Sequence, residues 1–512
     1  MAKQTSTPGS KPRKIRQLGP FEAFQSALFQ LDLYCGTTII CRYAIPENLR
    51  DPSVHDKLVD FWERAVADTV LQHPLLQVGI VGRDSKHPAW VQLDHIDLSQ
   101  HIEWRVFDNL ESYEATFDKT LKEEIDTKFA SPETRPGWRV IVSRLSAENL
   151  LDVFFVWSHT NTDGTGGKLF HETLLQSLNK LQNESSESTL DNHLVKTTAT
   201  AQNLPPPQDT VGKFSFTPQF TAAMLWKEFK PQIFATKKPP HKLLAPLHLT
   251  QTGTQSRRLS IDNATLQNVL AACRTHKTTL TGLLHGITLV SLVNLYKEEA
   301  PTELISESPL NLRRFLPSRP PAFPEFEPSK AIGNFVTKMD HIYDETLVSK
   351  IQGLARGAST ESETIAALED VMWSVSKTVR QELKDKLDMG LKNELCGLMK
   401  LVGDYRGYFK DQMKKPRDSS WLVTNLGVID GGLSAGTNSE TAQSWSIERA
   451  HFSIGANLIS SNLSICPVAV KGGPLVIGFS WQDEAVDNKL GEGAVAGIDA
   501  WLKHIGSKQQ KV

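Results

Sequence analysis

The sequence predicts a mixed α/β protein built as two halves around a cleft. Three observations predict it. At 512 residues the chain is too long for one ordinary core. Strand-like and helix-like stretches alternate irregularly along its length. A polar segment at 183–207, rich in Ser, Thr, Asn and Glu and ending in Leu204-Pro205-Pro206-Pro207, reads as a solvated connection between the halves.

The elements follow from local pattern. Residues 1–15 are polar and basic and read as a disordered arm, with no apolar core that would make them a secretory signal. Phe21, Phe24, Ala27 and Leu28 fall near helical spacing, so 21–29 is a helix that packs on the core or lies on a surface, with Lys11, Arg13, Lys14 and Arg16 ahead of it. Strands are expected at 37–43 and 75–81. Between them a helix over 54–72 lines up Leu58, Phe61, Trp62, Ala65, Val66 and Val70, and His73-Pro74 ends it. Further strands fall at 104–107, 138–145 and 150–156, with helices at 110–129 and 168–181. Lys237-Lys238-Pro239-Pro240 is a second break.

In the second half a strand at 256–261 leads to Asp262 as N-cap of a helix through Cys273. Thr279 starts another helix over 280–296. Stretches 303–315 and 331–339 look extended, and 361–409 is mostly helical. Strands at 421–428, 445–452, 463–470 and 474–481 and a helix at 491–505 close the chain. The predicted division is an arm at 1–15, an N-terminal unit at 16–182, a linker at 183–212 and a C-terminal unit at 213–512.

Composition excludes several classes. A net charge of -2 gives no general reason to expect nucleic acid as partner. Five cysteines with no C-x-x-C pair argue against a disulfide framework or a zinc site, and place the protein in a reducing, cytoplasmic setting. The acceptor patterns at Asn183, Asn263 and Asn462 are then chance matches. No apolar run reaches the roughly 18–20 residues that cross a bilayer. Peripheral contact with an internal membrane is left to the N-terminal helix alone.

The chemistry concentrates at Trp157-Ser158-His159-Thr160-Asn161-Thr162-Asp163-Gly164-Thr165-Gly166-Gly167. A histidine stands where an apolar strand ends and the chain loosens into glycines. A rigid strand holds the imidazole while its tip can face a cleft, and a carboxylate four residues on can brace the turn. His159 and Asp163 would share a helix face and could bind a metal, but Asn161 and the glycines are poor helix formers and no further ligand completes a set. Gly164-Thr165-Gly166-Gly167-Lys168 lacks the spacing of a phosphate loop, with Thr162 and Leu169 at the wrong places. No G-x-S-x-G elbow is present. Cys273 and Cys396 read as core residues, His73 as a helix-end residue and His171 as packed or outward. A histidine without a nucleophilic Ser or Cys nearby in sequence points to direct base catalysis on an incoming hydroxyl or amine.

His159-Thr160-Asn161-Thr162-Asp163-Gly164 resembles the HxxxDG signature of the CoA-dependent acyltransferase superfamily, which includes chloramphenicol acetyltransferase, plant alcohol acyltransferases, carnitine acyltransferases and peptide-synthetase condensation domains. The following Gly167-Lys168-Leu169-Phe170-His171-Glu172-Thr173-Leu174-Leu175 is similar to the fungal alcohol acetyltransferase branch. So are Arg16-Gln17-Leu18-Gly19-Pro20-Phe21-Glu22, Trp421-Leu422-Val423-Thr424-Asn425-Leu426-Gly427-Val428 and Val470-Lys471-Gly472-Gly473-Pro474-Leu475. The resemblance runs from about Arg16 to Ile505. It implies two chloramphenicol acetyltransferase-like α/β sandwich subdomains with mixed sheets and an active-site tunnel between them.

The resemblance also implies roles. His159 would be the general base and Asp163 a brace acting through an arginine, with Arg313 or Arg314 the local candidates. Gly164 would let the backbone turn beside the base. Thr424 and Asn425 would line the tunnel and hydrogen-bond an oxyanion or serve a turn. Gly333-Asn334-Phe335 looks like the family's GNF turn, with Asn334 beside substrate. No metal or bound cofactor is implied; acyl-CoA, acetyl-CoA foremost, would be a co-substrate of a monomeric enzyme and a small alcohol the acceptor, in fungal secondary metabolism. The plant DFGWG motif is absent, Thr424 replaces the more usual Ser, and no carrier-protein domain is attached. The function expected is acyl-CoA-dependent O-acylation. An N-acyltransferase, a carrier-dependent acyl transferase and a non-catalytic binding module are the alternatives.

Overall fold

The run Leu150–Ser158 is apolar at almost every position, which suits a strand covered on both faces. In the computed structural model of the protein, which describes residues 13–146, 148–183, 190, 192–229, 253–296, 301–415, 417, 419–432 and 444–508, it is the middle strand of a five-stranded sheet. The order is Ser446–Ile454, Gly36–Ala44, Leu150–Ser158, Trp138–Leu145 and Ile102–Phe107. The last pairing is parallel and the others antiparallel. Side chains alternate across a strand. Val153, Phe155 and Trp157 therefore share one core with Trp62 of helix His55–Gln72 and with Phe170 and Leu174 of helix Gly164–Asn183. Phe154 and Val156 face Phe117, Leu121 and Ile125 of helix Leu110–Ile125 on the other side. Phe155 stacks on Phe170 with ring centroids 3.7 Å apart.

A second, mixed sheet has the order Thr254–Ile261, Leu475–Gln482, Leu463–Val470, Trp421–Val423, Leu304–Asn311 and Val336–Tyr343, with Gly427–Ile429 also pairing with Leu463–Val470. Helix Leu280–Leu295 is buried nearly all round. It is apolar on every side because it packs on the sheet and on helices Glu361–Asp388 and Asn488–Lys508. Asp262 and Thr279 do cap their helices, accepting from Thr265 N–H at 2.9 Å and Gly282 N–H at 3.2 Å.

Sequence order and sheet membership differ. The segment 183–212 divides the sequence, yet Ser446–Ile454 from the far end of the chain pairs along Gly36–Ala44 of the first sheet. Ile447, Ala450 and Phe452 join the first core, and the strand covers an edge that would otherwise offer unpaired N–H and C=O groups.

Other differences are local. The basic arm expected over 1–15 gives way to strand Lys14–Gln17, which pairs with Ala89–Gln92; residues 1–12 lie outside the described residues. Pro74 turns the start of the expected strand 75–81 into a 3-10 turn, and the strand is Val78–Val81. Within 183–207, Leu194–Lys196 pairs with His95–Asp97. The break at 237–240 lies outside the described residues. The expected strand 421–428 is two short strands broken at 424–426. Phe24 of helix Pro20–Gln30 meets Phe409 with centroids 4.8 Å apart, so this helix packs on the body of the protein. Among the described residues no single helix is long and apolar enough to cross a membrane.

Candidate active site

Strand Leu150–Ser158 ends one residue before His159. Its own side chains hold the loop that follows. The Trp157 indole N–H donates to Thr162 O at 2.9 Å, and Asn161 N–H donates back to Ser158 O at 2.9 Å. Asp163 then caps helix Gly164–Asn183, its Oδ1 accepting from Gly166 N–H at 2.9 Å. The glycines are needed for close approach. A Cβ on Gly166 would overlap Thr162 Oγ1, and one on Gly167 would overlap the Trp157 ring. One on Gly164 would lie 2.7 Å from Leu426 Cδ2, so this loop touches the break at 424–426.

The other Asp163 oxygen, Oδ2, accepts from Arg313 Nη1 at 2.7 Å and from Phe335 N–H at 2.9 Å. Both charges are buried: Asp163 is 0% and Arg313 6% exposed. A buried pair persists only when its remaining donors and acceptors are satisfied. Arg313 meets that condition, since Nη2 donates to Ala331 O and Gly333 O at 3.0 Å each and Nε to Ala331 O at 3.3 Å. Its guanidinium also lies 4.8 Å from the centroid of the Phe335 ring.

The turn 333–335 closes on the same loop. Gly333 O accepts from Asp163 N–H at 3.3 Å and from Thr162 Oγ1 at 3.3 Å, and Gly333 N–H donates to Thr162 Oγ1 at 3.2 Å. Asn334 Nδ2 donates to His159 O at 2.8 Å and to Thr160 O at 2.9 Å. Asn334 thus fixes the backbone on which His159 stands.

His159 itself is partly buried, with Nδ1 buried and without a hydrogen-bond partner among the described residues. The Tyr34 ring leans on it, centroids 5.9 Å apart. Burial lowers the imidazole pKa from its usual 6.5, and the Asp163 charge opposes that shift. The ring is therefore neutral at pH 7 and offers a lone pair.

The structure brings His159, Asp163, Gly164, Arg313 and Asn334 together. Arg314 is exposed, stands over the Phe315 ring at 5.6 Å and lines a cleft of ≈ 400 Å³. Asn425 also lines that cleft; its Nδ2 donates to Thr281 Oγ1 at 3.1 Å and its Oδ1 accepts from Gly427 N–H at 2.8 Å. Thr424 N–H bonds Ile465 O at 2.9 Å, and its side chain is half-buried. Asn425 thus serves the turn, while its neighbour Leu426 reaches Gly164. His171 is packed, with Nδ1 2.9 Å from Tyr43 OH. Sequence reasoning missed Tyr34 and the Thr162 hydroxyl, and named Gly333 only as part of the Gly333-Asn334-Phe335 turn, not for its carbonyl. A backbone carbonyl leaves no signal in sequence; Thr162, inside the motif, could have been found. Among the described residues no group of three or more His, Cys, Asp or Glu could hold a metal ion.

The model of a family described as alcohol acetyltransferase matches residues 91–492. "Probable alcohol acetyltransferase FCK4" of Fusarium pseudograminearum is 26% identical over 98% of this chain and 97% of its own length. "Probable alcohol acetyltransferase crmB" of Aspergillus fumigatus is 21% identical over 92% of this chain and 95% of its own. Among solved structures, the TRI3 trichothecene 15-O-acetyltransferase of Fusarium sporotrichioides superposes with a TM-score of 0.66 at 14% identity, covering 98% of this chain and all of that one. The condensation domain of the Monacolin K polyketide synthase MokA gives 0.53 at 10% identity, covering 96% and 97%. The fold is thus the mixed α/β, two-subdomain architecture shared with chloramphenicol acetyltransferase and condensation domains.

Proposed function

The chain belongs to the alcohol acetyltransferase family and is an acyltransferase, and from that premise we propose that it transfers an acetyl group from acetyl-CoA to an alcohol with His159 as the general base. The acceptor hydroxyl gives its proton to the neutral imidazole as its oxygen attacks the thioester carbonyl carbon. The tetrahedral intermediate collapses, the C–S bond breaks, and the departing thiolate takes the proton from the imidazolium. Ester and free CoA leave, and His159 is neutral again.

In this reading Asp163 does not touch the substrate. It holds the loop, through Gly166 N–H, Phe335 N–H and Arg313. Asn334 holds the main chain at His159 from the other side. The observation that carries the proposal is this double clasp around a neutral histidine at a strand end. Positioning of this kind converts binding into rate, because a base displaced by about 1 Å can cost on the order of 10²-fold. The family's description favours a hydroxyl over an amine as nucleophile, and the full-length relatives are fungal, so a fungal secondary metabolite is the acceptor class we assign.

Free-thiol release from acetyl-CoA, measured across a panel of alcohols and amines, tests the proposal. Release that depends on an alcohol, with the ester identified by mass spectrometry, is the expected result. Release that depends only on amines, or only with carrier-bound donors, would overturn it.

A further inference from the structure

A second constellation of catalytic residue types lies in the C-terminal sheet, on the strand whose end, Asn311, bonds Thr165 beside the His159 loop. Ser308 is on strand Leu304–Asn311, His341 is on the adjacent strand Val336–Tyr343, and Glu382 is on helix Glu361–Asp388. Ser308 pairs with Met339, so His341 is its diagonal neighbour. Ser308 Oγ lies 3.0 Å from His341 Nε2, and His341 Nδ1 lies 2.5 Å from Glu382 Oε2.

Proton positions follow from the partners. The Glu382 carboxylate only accepts, so His341 carries a proton on Nδ1, and in the neutral form of that ring Nε2 is the bare nitrogen. At the other end, the Trp421 indole can only donate, and it donates to His285 Nδ1 at 3.2 Å; Ser306 Oγ lies 2.8 Å from the same nitrogen and 2.9 Å from Tyr343 OH. His285 therefore carries its proton on Nε2, which lies 2.9 Å from Ser308 Oγ and donates to it. Burial holds the His285 pKa well below 6.5, which keeps that ring neutral. The Ser308 hydroxyl is left one direction for its own hydrogen, toward His341 Nε2. That is the arrangement a nucleophilic serine needs.

Ser308 is 1% exposed and stands at the wall of the ≈ 400 Å³ cleft, which Arg314, Arg380, Lys384 and Asp388 also line, Lys384 pairing with Asp388 at 2.7 Å. Thr279 and Thr281, at the start of helix Leu280–Leu295, line the same cleft. Gly282 N–H is taken by the Thr279 cap; the N–H groups of Leu280 and Thr281 ahead of it have no intrahelical partner and carry the positive end of the helix dipole, which suits a developing oxyanion.

We propose that Ser308, His341 and Glu382 form a nucleophile–base–acid triad that hydrolyses anionic carboxylic esters or thioesters entering this cleft. Ser308 Oγ attacks the carbonyl carbon as its proton passes to His341 Nε2. The C–O or C–S bond breaks, and the leaving alkoxide or thiolate takes that proton, leaving an acyl ester on Ser308. Water then attacks the ester carbonyl and gives a proton to His341, and Ser308 Oγ leaves and regains it. The net reaction consumes one water and yields an acid and an alcohol or thiol. Arg314 and Arg380 select negative charge on the substrate, Lys384 being paired with Asp388.

The test uses the full-length protein and a fluorophosphonate probe, with peptide mapping of the adduct. It reads Ser308 directly and does not rest on the transfer reaction proposed above. The expected result is label on Ser308 in wild type, with acetyl-CoA hydrolysis in the absence of any acceptor falling as label accumulates. Glu382 is 41% exposed, so Glu382→Gln leaves the fold intact, and it should slow labelling by about 10²-fold or more. A folded wild-type protein that takes no label at Ser308, or a labelling rate unchanged in Glu382→Gln, would overturn the proposal.

Discussion

Replacing Asp163 by Asn changes one oxygen to an amide, and the structure says this is costly. All three neighbours of the carboxylate are donors: Gly166 N–H at 2.9 Å on Oδ1, and Phe335 N–H at 2.9 Å and Arg313 Nη1 at 2.7 Å on Oδ2. An asparagine can turn its oxygen toward only one side. With that oxygen toward Phe335 and Arg313, its NH₂ faces Gly166 N–H and the helix cap is lost, at about 1 kcal/mol. Arg313, 6% exposed, also loses its ionic partner. Breaking a buried pair by removing one partner costs about 3–5 kcal/mol. The two losses overlap, so the total expected is about 3–5 kcal/mol, not their sum. Urea unfolding followed by tryptophan fluorescence should show it, and transfer activity should fall with it because the loop carries His159. Arg313→Met in both backgrounds completes a double-mutant cycle, with a coupling of about 1.5–3 kcal/mol expected. A loss below about 1 kcal/mol for Asp163→Asn, or a coupling near zero, would refute the reasoning.

Three further outcomes follow from the same geometry. The base works only when neutral, and burial lowers the His159 pKa from 6.5, so kcat/KM should hold its plateau through neutrality and lose activity only below pH 6.5; an acid limb at or above pH 7 would contradict this. Asn334→Ala leaves two backbone carbonyls, His159 O and Thr160 O, without their donor; we expect about 1–3 kcal/mol of destabilisation and a fall in kcat larger than any rise in KM, and an unchanged kcat would count against the positioning role. Gly167→Ala drives a methyl group into the Trp157 ring and should cost about 1–3 kcal/mol, read as a lower thermal midpoint; a midpoint equal to wild type would mean the loop has room that the structure denies.

Part of this account was legible in the sequence for identifiable reasons. Trp138–Leu145 and Leu463–Val470 match their expected bounds because dense apolar residues mark buried strands. His159, Asp163 and Gly164 stood out because a histidine, a carboxylate and a glycine turn follow a strand at short range. Asn334 and Arg313 lie about 150 or more residues away in sequence, and only the family resemblance pointed to them; local pattern could not choose Arg313 over Arg314. The choice depends on the 3-10 turn Arg313–Phe315, which turns one guanidinium inward and leaves the next exposed. The insertion of Ser446–Ile454 into the first sheet was invisible for the same reason, since periodicity reports that a strand is half-buried but not which edge it covers. The Ser308–His341–Glu382 arrangement has no signature at all, because its three members come from two strands and a helix with no shared spacing.

The central claim is that His159 is the base for acyl transfer. It is tested most directly by acceptor-dependent thiol release from acetyl-CoA by wild type and His159→Ala side by side, with circular dichroism confirming that both are folded. The account predicts a fall of roughly 10²–10⁴-fold in the variant with the fold unchanged. A folded variant that retains activity within a few-fold of wild type would contradict it.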